Sequence, residues 1–188
     1  MRHLTPMALT MKTYSLLPFT PQITPLEILV HVTVTDTQLS LRYELLGDLG
    51  AIAFAPLSPT PQRRDQLWEA TCFECFLAPQ NSRHYWEFNL SPSQDWNCYR
   101  FDDYRRGMTP ETAWSVSPLQ IDQLIKQDNQ YWLTCHLDFC PLFPQPVPLQ
   151  LGVTMVIADH AGNLSYWALS HPAPHADFHQ RQSWLITL

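Results

Sequence analysis

Hydrophobic and polar positions alternate with a period of two along most of this chain, the signature of strands with one buried face. Ile28–Thr35 (ILVHVTVT) is β-branched, and Leu39–Leu46 sets Leu39, Leu41, Tyr43 and Leu45 against Ser40, Arg42 and Glu44. With Asp36 and Thr37 between them, the two runs predict a hairpin. Gly47–Gly50 interrupts the pattern, and Pro56, Pro59 and Pro61 mark a loop that ends at Arg63, Arg64 and Asp65. Three aromatic-rich runs follow, Leu67–Ala78, Tyr85–Leu90 and Trp96–Phe101, separated by turn residues, and they predict a meander at the centre of the protein.

Asp102–Thr112 is polar and predicts a loop. Trp114–Val116 and Leu119–Lys126 fit short strands, the second with a helix as the weaker alternative, and Tyr131–Phe139 alternates again. Four prolines (141, 144, 146 and 148) precede the apolar run Leu149–Ala158. Asp159–Asn163 predicts a turn into Leu164–Leu169, and Trp184–Leu188 closes the chain as a terminal strand. Roughly nine or ten short strands, without an amphipathic run of helical length, predict an all-β fold: an antiparallel, jelly-roll-like β-sandwich. A single domain over 23–188 is expected, with 1–22 as a poorly ordered lead.

Composition narrows the partners. The net charge of −6, with 11 Lys and Arg, leaves no basic stripe of the kind that nucleic acid or an anionic membrane would require. The first residues hold no apolar run long enough for a signal-peptide core or a spanning helix, so cytoplasmic residence is the expectation. Seventeen prolines against 5 glycines place the prolines at element boundaries. The five cysteines are odd in number and lie among apolar residues, which suits reduced core thiols. Cys72 and Cys75 are three apart on an expected strand, so they should face opposite ways instead of forming a metal or redox pair.

The chemistry concentrates between Leu67 and Met108. On Leu67–Ala78 both faces are mostly apolar and each carries one acid, Glu69 on one and Glu74 on the other. A carboxylate at Glu74, between Phe73 and Cys75, needs a partner, and Arg100 and Arg105 are the nearest candidates in sequence. In Tyr85–Leu90, Trp86, Phe88 and Leu90 form a core face while Tyr85, Glu87 and Asn89 form a polar one. Depending on register, either Tyr99 and Phe101 or Trp96 and Arg100 extend that polar surface. Rings beside carboxylate, amide and guanidinium groups suit a carbohydrate or small polar ligand, with Trp68, Trp96 or Trp167 as the stacking ring. The competing reading is an ion-pair network of Glu74, Glu87 and the arginines that fixes strand register. His171, His175 and His179 are four apart beside Asp177, a metal-ligating spacing on a helix, but Pro172 and Pro174 favour an extended loop. A metal-dependent enzyme built on that loop is therefore kept only as an alternative, and no cofactor is expected.

The motif LWE-x-x-x-F-E-x-F-L, followed by YWEFNLSPSQDWNCYRFDDYR and then YWALSHP and DFH, resembles the DOMON-like domains related to family-9 carbohydrate-binding modules. The resemblance spans roughly Ile28 to Leu188 and implies a β-sandwich whose relatives bind sugars or haem, usually outside the cytoplasm. The set Trp68, Glu74, Trp86, Glu87 and Asn89 is similar to the sugar-module pattern. Haem-binding relatives use an axial methionine with a histidine or lysine. Met108 and Met155, with His136, His160 or His171, are the residues here that such a site would draw on. The resemblance thus implies a non-catalytic binding domain, for carbohydrate or, alternatively, haem.

Overall fold

A computed structural model describes residues 10–21, 26–35, 37–113, 119–125 and 129–188. Two antiparallel sheets pack face to face. The first contains β1 (Lys12–Pro18), β2 (Leu26–Val34), β3 (Gln38–Gly47), β9 (Gln130–Asp138) and β8 (Leu119–Ile125), in that spatial order. The second runs β7 (Thr109–Pro110), β6 (Trp96–Phe101), β5 (Tyr85–Leu90), β4 (Cys72–Pro79), β10 (Leu149–Ala158) and β11 (Leu164–Ala168), with β12 (Ile186–Thr187) also paired to β10. Strand β1 belongs to both. Lys12–Leu16 pair with β2, and Leu17 and Pro18 pair with β11, so one strand closes one side of the sandwich.

The two sheets differ in how they meet solvent. Along β3 and β9, buried and partly exposed positions alternate, because only the inner face is covered. Along β4 and β10 nearly every position is buried. That follows from the sequence, where both faces of these strands are largely apolar: the inner face of the second sheet meets the first sheet, and its outer face is covered by the C-terminal segment. Two hydrophobic clusters result. The larger lies between the sheets and includes Val30, Leu41, Tyr43, Phe73, Phe88, Trp96, Met155 and Trp167. The smaller lies on the outer face and holds Cys72, Phe76, Tyr85, Tyr99, Phe101, Phe178 and Trp184. Each fully buried large apolar side chain contributes about 1.5–3 kcal/mol. The Tyr43 hydroxyl donates to the Glu74 carbonyl at 2.6 Å and ties one sheet to the other.

Three sequence expectations change here. Lys12–Pro18, placed in a poorly ordered lead over 1–22, is strand β1; its proline end and modest alternation hid a segment that edge pairing on two sides stabilises. Leu67–Ala78 is not one strand. Leu67–Glu69 form a 3₁₀ turn, entered through Gln66 at φ 61°, and the strand starts at Cys72. The terminal strand is short, Ile186–Thr187, and follows a second 3₁₀ turn at Arg181–Ser183. The expected hairpin, β2 with β3, and the meander β4–β5–β6 form with antiparallel register, and Leu119–Ile125 is a strand. Trp114–Val116 lies outside the described residues. Cys72 sits in the outer cluster and Cys75 in the inner one, as alternation requires.

Candidate functional site

Register brings the polar residues of three strands onto the outer face of the second sheet. Glu74 stands opposite Asn89 and Thr154, Glu87 opposite Phe76 and Tyr99, and Tyr85 opposite Phe101. Of the two surfaces open at the sequence level, the one with Tyr99 and Phe101 is therefore the one formed. Above this floor is a cavity of about 540 Å³, within the size range of small-molecule sites. Glu74 and Glu87 line its base, and Trp68, Phe76, Phe101, Met108, Tyr166 and Phe178 form much of its wall. Arg105 and His179 supply the remaining polar groups with Glu69.

The carboxyls are poorly compensated. Glu74 is 2% exposed, its Oε2 accepts from Thr154 Oγ1 at 3.3 Å, and its Oε1 is buried without a hydrogen-bond partner. Burial, reinforced by the neighbouring Glu87, pushes its pKa well above the carboxylate range. Glu87 Oε1 accepts from Asn89 Nδ2 at 2.8 Å, and burial raises its pKa to about 7 against the help of Asn89 and Arg105. The pair favours holding a proton at neutral pH, as two like charges sharing a desolvated site must.

His179 is held among rings: Phe76, Tyr85 and Phe101 lie edge-on at 5.3, 5.8 and 5.1 Å. Its Nδ1 is 2.7 Å from the Tyr85 hydroxyl, which itself accepts from the Arg105 backbone N–H at 3.2 Å. Burial, with Arg105 nearby, lowers the His179 pKa to about 4, so the ring is neutral. A hydroxyl already accepting from Arg105 donates to Nδ1, which leaves the proton on Nε2, 3.7 Å from Glu87 Oε2. That gap is too long for a direct hydrogen bond.

The C-terminal segment that roofs the cavity is anchored by Asp177. This carboxylate is fully buried and accepts from Arg105 Nη2 at 2.8 Å, Arg105 Nε at 3.2 Å, the Tyr104 hydroxyl and the His179 backbone N–H. Burial alone would raise its pKa, but the bonds from Tyr104 and Arg105 hold it below the usual aspartate value. Arg181 donates to the carbonyls of Pro79 and Ser82 and so clamps the same segment to the β4–β5 turn. Trp184 packs over Phe76 at 5.3 Å and sits on Gly152, where an added Cβ would lie 2.4 Å from the indole.

The sequence-level candidates separate into those the fold brings together and those it disperses. Trp68, Glu74, Glu87 and Arg105 line the cavity, with Tyr85 and Asn89 buried in the layer that supports them. Trp96 and Trp167 are instead in the inter-sheet core, since alternation turns them to the inner face, which leaves Trp68 as the ring at the site. Arg100 is half exposed and pairs with Asp102 at 2.7 Å. The expected arginine partner of Glu74 is also corrected: Arg105 pairs directly with Asp177 and reaches the two glutamates only through space. His171 bonds the Leu17 carbonyl, His175 is exposed and His179 faces Glu87, so the three histidines do not converge. Among the described residues no group of three potential ligands is placed to hold a metal ion. The residues named for a haem site are scattered too. Met155 is in the inter-sheet core, Met108 at the cavity, His136 on the outward face of β9 and His160 in the β10–β11 turn. Tyr166, Phe178 and the binding-side placement of His179 were not anticipated. Tyr166 could have been found from its alternation with Trp167, but Phe178 lies in a loop without periodicity.

No known family profile matches the sequence, and no curated protein matches it by sequence. Comparison of folds does find likenesses. A Bacteroides uniformis protein proposed to bind carbohydrate superimposes with a TM-score of 0.67 over 94% of this chain and 84% of its own, at 9% identity. A family-9 carbohydrate-binding module of Caldicellulosiruptor kristjanssonii, solved with cellotriose, superimposes with a TM-score of 0.54 over 87% of this chain and 74% of its own, at 12% identity. At such identities the likeness is one of fold, and the chain is an antiparallel β-sandwich of the kind seen in family-9 carbohydrate-binding modules.

Proposed function

We propose that this protein is a non-catalytic binding domain whose outer-face cavity takes a carbohydrate or similarly polyhydroxylated small ligand. The observation that carries this reading is the buried, unpartnered Oε1 of Glu74 at the base of a ring-lined cavity. A buried polar atom without a partner is costly, and a ligand hydroxyl at that point would supply the missing bond. His179 Nε2 and Glu87 Oε2, 3.7 Å apart and not bonded to each other, fit the same chemistry, because one hydroxyl lying beside both can accept from the first and donate to the second. Trp68 offers an indole face for the apolar side of a sugar ring. The fold likeness to sugar-binding modules supports the reading without assigning the site.

Titration of the protein with a panel of mono- and disaccharides, followed by tryptophan fluorescence, tests it. A shallow set of hydrogen bonds and one stacked ring predicts affinities in the micromolar to millimolar range, about −8 to −4 kcal/mol. Glu87→Ala and Trp68→Ala should each abolish the response. Binding that survives both substitutions unchanged, or a panel with no responder, would exclude a saccharide in this cavity.

A further inference from the structure

The charge balance of the cavity points to a narrower ligand class than sugars in general. Glu74 and Glu87 lie one diagonal step apart on β4 and β5, on the same face, a spacing of about 7 Å between Cβ atoms in paired strands. None of the cations around them hydrogen-bonds either carboxyl, although the charge of Arg105 still lowers both pKa values through space. Arg105 is taken by Asp177, Arg100 by Asp102, and Arg181 by the backbone carbonyls of Pro79 and Ser82. Across the site, the other ionisable groups facing the pair are Cys72 on β4, Tyr85 on β5, Tyr99 on β6, and His179 and Asp177 from the C-terminal segment, with Glu69 at the cavity wall. None of these supplies a countercharge at neutral pH. Two adjacent buried carboxyls, one with an oxygen lacking any partner, therefore meet a cavity whose walls are Trp68, Phe101, Tyr166 and Phe178.

Resting on the carbohydrate reading above, we propose that the ligand is an amino sugar, with its protonated amine set between Glu74 and Glu87 and its ring against Trp68. An ammonium offers three donors where a hydroxyl offers one, so it can serve the Glu74 Oε1 and Glu87 Oε2 acceptors together. It also supplies the countercharge that lets both carboxyls ionise in the same site. Aromatic walls favour the same charge through their ring quadrupoles. Because the empty site holds protons on its carboxyls, seating a cation there expels protons to solvent.

The experiment compares D-glucosamine, D-glucose and N-acetyl-D-glucosamine against the full chain, by fluorescence and by calorimetry in two buffers of different ionisation enthalpy. Glucosamine should bind at least about tenfold tighter than either neutral sugar, equivalent to about 1.4 kcal/mol, with net proton release. Glu74→Gln, checked for folding by near-ultraviolet dichroism, should shrink that preference to about twofold or less. If this variant does not fold, glucosamine against its uncharged N-acetyl form on the wild type decides the matter. Glucose binding as tightly as glucosamine would overturn the amine assignment and leave the carbohydrate reading intact. Binding of none of the three would overturn both.

Discussion

Glu74 and Glu87 set the electrostatics of the site through where their protons reside. Folding raises both carboxyl pKa values, Glu87 to about 7 from 4.5, so the folded chain keeps protons that the unfolded chain releases. Their stabilising contribution is full below the unfolded value and is lost as pH climbs through neutrality. His179 works in the opposite sense. Its pKa falls from 6.5 to about 4, so its contribution is present above 6.5 and is lost as pH falls toward 4. In mildly acidic solution one imidazole opposes two carboxyls, so the glutamates prevail there, and they alone act above it. The melting temperature should therefore decline as pH rises from about 4.5 through 7. Glu74→Gln should flatten that decline and cost less than about 1 kcal/mol near pH 5, because an amide resembles the protonated acid it replaces. A large loss at pH 5, or an unchanged slope, would show that Glu74 is ionised and paired in the folded protein.

At the scale of elements, the C-terminal segment decides whether the outer face is an open sheet or a cavity. Two contacts carry that role. Gly152→Ala would drive a methyl into the Trp184 indole and should cost about 1–3 kcal/mol, as overpacking of a close interior does. Asp177→Asn removes the charge that holds Arg105, and hydrogen bonds of this type contribute about 1–3 kcal/mol. Faster amide exchange across 171–184 in Asp177→Asn, with β2 and β3 unaffected, is the expected result; uniform acceleration would mean that the segment unfolds only with the sandwich. The strands themselves were largely legible, because Leu39–Leu46 and Tyr131–Phe139 alternate strictly and prolines mark the breaks. The roof was not. Residues from His171 to Trp184 lack periodicity, and their position is set by single contacts such as Arg181 with the Pro79 carbonyl, which leave no pattern in sequence. Glu74 was legible as buried, from its apolar neighbours, but its missing partner was not, since Asp177 competes for Arg105 from more than seventy residues away.

For the whole molecule, the sandwich has one wetted sheet and one covered sheet, and the candidate site lies on the covered one. The wetted face also carries a polar cluster: Glu44 Oε2 lies 2.8 Å from His31 Nε2, and Glu44 Oε1 accepts from Trp132 Nε1 at 2.8 Å and from Gln130 at 2.7 Å. Glu44 meets both of its oxygens with partners there, although Arg42 Nε beside it is buried without one; the cavity joins an unmet carboxyl oxygen to an enclosed volume lined by rings, and on that combination we propose it as the binding face. Amide and methyl chemical-shift mapping during titration with glucosamine tests this placement most directly. Shifts confined to Trp68, Glu74, Glu87, Arg105, Tyr166 and His179 with their neighbours are the predicted result. Shifts centred on His31, Glu44 and Trp132, with the cavity residues unmoved, would contradict it.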